Sequence, residues 1–103
     1  MFSLILPTYN EVGNIPGLVK KIRASLKGVP YEIIIVDDDS PDETWRITQE
    51  IAHDCNDLHV IRRIGRRGLS SAVIEGFLAA KGDVFGVMDA DGQHDMSILP
   101  KLY

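Results

Sequence analysis

The sequence predicts an α/β domain, a Rossmann-like parallel sheet flanked by helices. Four short apolar runs have the composition of buried strands. Three stretches with helical apolar spacing lie singly between them, and residues able to do chemistry collect just after each apolar run.

The first strand is predicted over residues 3–8, closed by Pro7, and the second over residues 31–36, a β-branched run closed by three aspartates. Residues 58–61 and 84–88 complete the set as two further buried strands. Between the first two, Ile15, Leu18, Val19, Ile22 and Leu26 form one helical stripe, with Asn14 placed to cap it, Pro16 tolerated in its first turn, and Gly28 and Pro30 stopping it. Ile47, Ile51 and Cys55 mark the second helix. Its start is predicted at Ser40, where Ser40, Pro41 and Glu43 have the spacing of a capping box. Ala72, Val73, Gly76, Phe77 and Ala80 form the third stripe, and Gly82 is expected to end it in a left-handed cap. Single helices between successive strands imply parallel pairing, right-handed crossovers and helices on both faces.

With 103 residues, 45% hydrophobic and 25% charged, the chain fits one compact domain, residues 1–103. Eleven Lys and Arg against fifteen Asp and Glu give a net charge of -4, which argues against a general nucleic-acid binder. Basic charge is nevertheless concentrated in one connection, at Arg62, Arg63, Arg66 and Arg67. Cys55 is the single cysteine, so an internal disulfide is excluded and an intracellular, cytoplasmic chain is expected. No apolar run approaches the roughly 18–20 residues of a membrane-spanning helix.

In open parallel sheets ligands bind outside the carboxyl ends of the strands, so four loops are expected to converge on one crevice. After the fourth strand come Asp89, Asp91 and Gln93, which the period of two in extended chain sets on one side. Such oxygen donors suit Mg²⁺ or Mn²⁺ with positions left for substrate phosphate oxygens. An isolated acidic pair there is an ordinary solvated turn; the other loops give it weight. After the first strand, Tyr9 can stack on a nucleobase and Glu11 can accept from base N–H groups. One of Asp37, Asp38 and Asp39 could accept from a nucleobase or ribose. The loop at 62–68, basic with two glycines ahead of Ser70 and Ser71, resembles a phosphate cradle, although it is neither a Walker sequence nor G-x-G-x-x-G. His53, His59 and His94 lack metal-type spacing.

Taken together, LPTYNE at 6–11, VDDDSPDET at 36–44, RGLSSAVIEGF at 67–77 and GDVFGVMDADGQH at 82–94 resemble, in order and spacing, family 2 glycosyltransferases of the GT-A fold. Within them the chain is similar to archaeal-type dolichol-phosphate (polyprenol-phosphate) mannosyltransferases. That resemblance implies nucleotide contacts at Pro7, Tyr9, Glu11, Val36, Asp38, Asp89, Ala90 and Asp91. It also implies catalytic carboxylates at Asp89 and Asp91, and a Mg²⁺ or Mn²⁺ site at Asp91, Gln93 and Asp89. Arg66 and Arg67 become candidate phosphate contacts. The expected reaction is inverting transfer of mannose from GDP-mannose to dolichyl or polyprenyl phosphate, at the cytoplasmic face of a membrane.

Family members continue into a second half that supplies the lipid-phosphate acceptor site, whereas residues 97–103 look like the opening of a further helix. The chain is therefore expected to be the donor-binding part, inactive alone, with a sheet edge through which copies self-associate. Rival classes are a non-catalytic nucleotide-binding module, a family 2 transferase using a UDP-sugar, and a receiver domain. The last is disfavoured because arginines stand where its acceptor aspartate is required, after the third strand.

Overall fold

The computed structural model describes residues 1–10, 12–54, 56–65 and 69–88. They form β1 (Phe2–Thr8), α1 (Ile15–Ser25), β2 (Tyr31–Asp37), α2 (Thr44–His53), β3 (Leu58–Arg62), α3 (Leu69–Ala79) and β4 (Val84–Val87), the predicted alternation. The four strands make one sheet in the order β3-β2-β1-β4, every pairing parallel.

The two central strands are apolar throughout because both their faces are covered. On one face Phe2, Leu4 and Leu6 of β1 and Ile33 and Ile35 of β2 pack with Ile15, Leu18, Val19 and Ile22 of α1, and Ile51 of α2 joins from the side. On the other, Ile5, Ile34 and Val36 pack against Ala72 of α3. Burying each α1 side chain contributes about 1.5–3 kcal/mol, far more than the propensity of its residues. Gly28 ends the turn after α1 at φ 85°, a left-handed conformation that glycine adopts without strain.

The outer elements depart from the sequence reading. Among the described residues, strands β3 and β4 are the sheet's edges and not buried: Leu58 alone of β3 is fully covered, and Phe85 and Val87 of β4 are each 45% exposed. Helix α2 begins at Thr44, past the expected capping box, because the Ser40 hydroxyl is engaged by Asp37 and by the Asn10 N–H. Asp42 takes over the capping task, its Oδ1 accepting from the Thr44 N–H (3.0 Å) and hydroxyl (2.5 Å). The face that α2 buries includes Thr44 and Thr48, the latter satisfied by donating to the Thr44 carbonyl (2.7 Å). Asn14 stands at the start of α1 without a side-chain capping bond.

Gly82 is not left-handed; Gly28 and Gly65 are the glycines with positive φ among the described residues. Its smallness serves a close approach instead, since a Cβ there would collide with Ser3 Oγ and the Met1 carbonyl. Among the described residues no helix is long and apolar enough to cross a membrane.

The strand order locates the site. The chain steps outward from β1 to β2 to β3 with α1 and α2 on one face, then returns past β1 to β4 with α3 on the other. The order therefore reverses between β1 and β4, and in open α/β sheets ligands bind outside the carboxyl ends of the strands at such a switch point. Beyond β4, the Met88 N–H still bonds the Ile5 carbonyl (3.1 Å), so residue 88 lies beside β1.

The opposite end of the sheet is tied by Glu32. Its Oε2 accepts from Ser3 Oγ (2.6 Å) and the backbone N–H groups of Lys81 (2.6 Å) and Gly82 (3.2 Å), while His59 lies 3.6 Å from Oε1. Burial pushes this carboxyl up, but the Ser3, Lys81 and Gly82 donors and the nearby His59 outweigh it, and the net shift is downward. A carboxyl depressed in the folded state stabilises the fold above its unfolded value, and that contribution is lost as pH falls through the folded one. Glu32→Gln is expected to cost about 1–3 kcal/mol at neutral pH in urea unfolding. The gap to the parent chain should close as pH falls through the depressed folded-state value of Glu32, below which both side chains are neutral.

Candidate functional site

Thr8 and Asp37, the last residues of β1 and β2, are register partners, and the Thr8 hydroxyl donates to Asp37 Oδ1 (2.6 Å). Asp37, fully buried, also accepts from the Ser40 hydroxyl (2.6 Å) and N–H (2.9 Å). Ser40 Oγ in turn accepts from the Asn10 N–H (2.9 Å), and Asp42 Oδ2 accepts from the Val12 N–H (3.2 Å). The loop after β1 is thereby strapped to the loop after β2. Burial raises the Asp42 carboxyl, but the Thr44 hydroxyl and the Val12 and Thr44 N–H groups overcome this and leave it below the ordinary aspartate value.

Among the described residues of these two loops, three non-glycine residues are left-handed: Asn10 (φ 55°), Asp39 (φ 54°) and Glu43 (φ 62°). Asn and Asp adopt that region more readily than Glu. The hydrogen bonds from Asn10 and to Ser40 and Asp42 hold the loops in this shape, and strain of this kind gathers at ligand sites.

The next two aspartates have separate partners. Asp38 meets Arg63 through a two-pronged contact, Nε to Oδ1 at 2.7 Å and Nη2 to Oδ2 at 3.3 Å. The Arg63 side chain is wholly enclosed, and its Nη1 donates to Ser71 Oγ (2.9 Å) in the first turn of α3. Asp39 pairs with Arg62, Nε and Nη2 each 2.7 Å from Oδ1, and the Arg62 guanidinium lies 3.7 Å over the Trp45 ring at the start of α2. Three adjacent carboxylates are thus kept apart by sending one to the β1 side, one under α3 and one toward α2.

Of the residues the sequence singled out, Tyr9 lies half-exposed beyond β1 and Asp38 is nearly buried beyond β2, both at the carboxyl ends of adjacent strands, with the Asp38 N–H bonded to the Thr8 carbonyl (3.1 Å). Pro7 and Val36 are register partners; Pro7 is half-buried and Val36 fully buried. Glu11, Cys55, Arg66, Arg67, Asp89, Ala90, Asp91, Gln93 and the expected helix at 97–103 lie outside the described residues. Among the described residues no group of three His, Cys, Asp or Glu side chains could hold a metal ion. The idea of one phosphate cradle over 62–68 needs correction in its first half, where Arg62 and Arg63 are matched to carboxylates.

The sequence reading missed Asp37 as the common acceptor, Ser40 and Asp42 as straps, and the pairing of arginines with aspartates. Its signal was register: parallel strands that end together, Asp37 beside Arg62, bring the residues that follow side by side as well.

A parallel α/β sheet with its switch point between β1 and β4 and polar loops strapped across the strand ends defines a Rossmann-like fold. The family model for glycosyl transferase family 2 matches residues 3–103, and the chain belongs to that family. It is 54% identical over 100 residues to the dolichol-phosphate mannosyltransferase of Pyrococcus furiosus, covering 97% of this chain and 28% of that protein. It is 39% identical over 105 residues to the dolichol-phosphate mannosyltransferase of Saccharomyces cerevisiae, covering 99% of this chain and 39% of the relative. Among solved structures, a mannosyltransferase from Pyrobaculum calidifontis in complex with GDP-Man and Mn²⁺ superimposes with a TM-score of 0.78 at 28% identity, over 87% of this chain and 27% of that one. The fold is the Rossmann-like part of the GT-A glycosyltransferase architecture, and the chain spans well under half the length of these relatives.

The enclosed Arg63 predicts a strong asymmetry. Asp38→Ala strands a buried charge and is expected to cost about 3–5 kcal/mol, whereas Asp38→Ala combined with Arg63→Met should recover most of that loss in urea unfolding.

Proposed function

We propose that this chain carries the donor site of a dolichol-phosphate mannosyltransferase, binding GDP-mannose across the carboxyl ends of β1, β2 and β4 for transfer of mannose to a polyprenyl phosphate. The observation that carries this reading is the strapping of the β1 and β2 loops by Asp37, which sets Tyr9 and Asp38 at neighbouring strand ends beside the switch point. The names of the relatives and the GDP-Man in the Pyrobaculum complex support the choice of donor.

In this reading Tyr9 stacks on the base, Asp38 and Glu11 accept from its N–H groups, and Pro7 and Val36 shape the backbone beneath it. Asp89, Ala90 and Asp91 face the ribose and diphosphate, and Arg66 and Arg67 reach the phosphates. The donor set Asp89, Asp91 and Gln93 is chemically suited to Mg²⁺ or Mn²⁺, which when bound offsets the charge gathering on the departing diphosphate. A lipid phosphate oxygen attacks the anomeric carbon as the bond to GDP breaks, inverting that centre. The nucleophile is already anionic, so no general base is required, and positioning and leaving-group stabilisation supply the rate.

Because the chain spans 28% of the Pyrococcus relative, the lipid-phosphate site and turnover are assigned to the longer polypeptide, working at the cytoplasmic face of a membrane. The chain alone binds donor without transferring it.

Titration calorimetry tests this directly. GDP and GDP-mannose should bind, Mn²⁺ should tighten both, and Asp89→Ala or Asp91→Ala should remove the Mn²⁺ effect. Tighter binding of UDP-glucose would reassign the donor, and silence with every nucleotide would overturn the reading. Radiolabelled mannose transfer to polyprenyl phosphate by this chain alone would contradict the division of labour.

The outer edge of β4 is unpaired among the described residues, with Phe85 and Val87 half-exposed along it and Phe77 of α3 edge-on to Phe85 at 5.3 Å. Copies of the chain are proposed to associate there. Sedimentation should show reversible dimers that Phe85→Lys abolishes, and a monomer at every concentration would contradict this.

A further inference from the structure

We infer that Ser40 is a positioning residue for the donor nucleotide, fixing through Asn10 the direction in which Tyr9 faces the base, without itself meeting the ligand. The inference rests on the donor-site reading above and adds to it a buried hydroxyl on which nucleotide affinity depends.

Ser40 is buried, and both its donors go to one carboxylate: the hydroxyl to Asp37 Oδ1 (2.6 Å) and the N–H to Asp37 Oδ2 (2.9 Å). Asp39, left-handed at φ 54°, lies within this short loop and folds the chain back on Asp37. A hydroxyl has one hydrogen and two lone pairs, so with its hydrogen given to Asp37 the Ser40 Oγ is left as an acceptor of fixed direction. The Asn10 N–H takes that direction (2.9 Å), reaching it from 30 residues earlier in the chain.

Asn10 is left-handed (φ 55°), and a non-glycine residue persists in that region where its surroundings hold it. Its neighbour Tyr9 is thereby bracketed. Before it, Thr8 is bound to Asp37 through its hydroxyl (2.6 Å) and to the Asp38 N–H through its carbonyl (3.1 Å). After it, Asn10 is bound to Ser40. Both sides lead back to the same Asp37–Ser40 unit, and Tyr9, 37% exposed, lies between them. With the Ser40 bond removed, Asn10 returns to the extended region, the peptide linking it to Tyr9 turns with it, and the nucleotide has to restore the loop on binding. The loss falls on affinity more than on the fold, because residue 10 is at an exposed position.

The test is the affinity of the folded chain for GDP by titration calorimetry. Ser40→Ala should weaken GDP about tenfold in the parent and less than about twofold in a Tyr9→Ala background, where the ring it positions is gone. Thr48→Val removes another buried hydroxyl, the one bonded to the Thr44 carbonyl, and should lower stability while leaving GDP affinity unchanged. Asn10→Ala and Asn10→Gly keep the test decisive should Ser40→Ala not fold. Neither retains the side chain, but glycine alone adopts positive φ without strain, so Asn10→Ala should bind GDP about fivefold more weakly than Asn10→Gly. GDP affinity unchanged in folded Ser40→Ala, an equal loss in Thr48→Val, equal affinities of the two Asn10 variants, or a Ser40→Ala loss undiminished without Tyr9 would each reduce Ser40 to a structural strut and overturn the inference alone. Failure of the parent to bind GDP would overturn the donor reading as well.

Discussion

Everything at the functional end of this fold depends on what becomes of three consecutive carboxylates at the tip of β2. Adjacent negative charges repel, and a strand that ends in them needs a donor for each. Asp37 is met by hydroxyl and N–H groups, Asp38 by an enclosed guanidinium, and Asp39 by an exposed one that also lies over Trp45. Each solution anchors a different element, so settling the charges also fixes the loops after β1, β2 and β3 relative to one another.

Topology turns this local bracing into a candidate site. A parallel sheet whose order reverses between β1 and β4 has its switch point there, and the braced loops lie at the carboxyl ends of the strands, where open α/β sheets bind ligands. The far end is built for closure: Glu32, Ser3 and Gly82 interlock so closely that a methyl group at position 82 finds no room. The left-handed Asn10, Asp39 and Glu43 belong to the carboxyl end of the sheet.

Much of this was legible in the sequence. The alternation of β-branched runs with single helical stripes gave all seven elements in order, because both periodicities express burial, which dominates the energetics. What escaped the reading depends on three-dimensional neighbours. Ser40, Pro41 and Glu43 spell a capping box, yet Ser40 is claimed by Asp37 and Asn10, and Asp42 caps in its place. Residues 58–61 and 84–88 are apolar enough for buried strands, but strand order puts them at the edges, and order is not written in composition. Arg62 and Arg63 looked like part of a phosphate cradle until register set them beside Asp39 and Asp38. Family membership agrees with the motifs that first pointed to it, and the carboxylates at 89 and 91 remain part of the proposal.

The central claim is that a sugar nucleotide sits on the strapped loops at the carboxyl ends of the strands. Amide chemical-shift mapping of the isotope-labelled chain during GDP titration tests it most directly. The account predicts saturable shifts at Tyr9, Asn10, Asp38 and Ser40, with Ser3, Glu32 and Gly82 at the opposite end unmoved. Shifts centred on Glu32 and Gly82, or none anywhere, would contradict it.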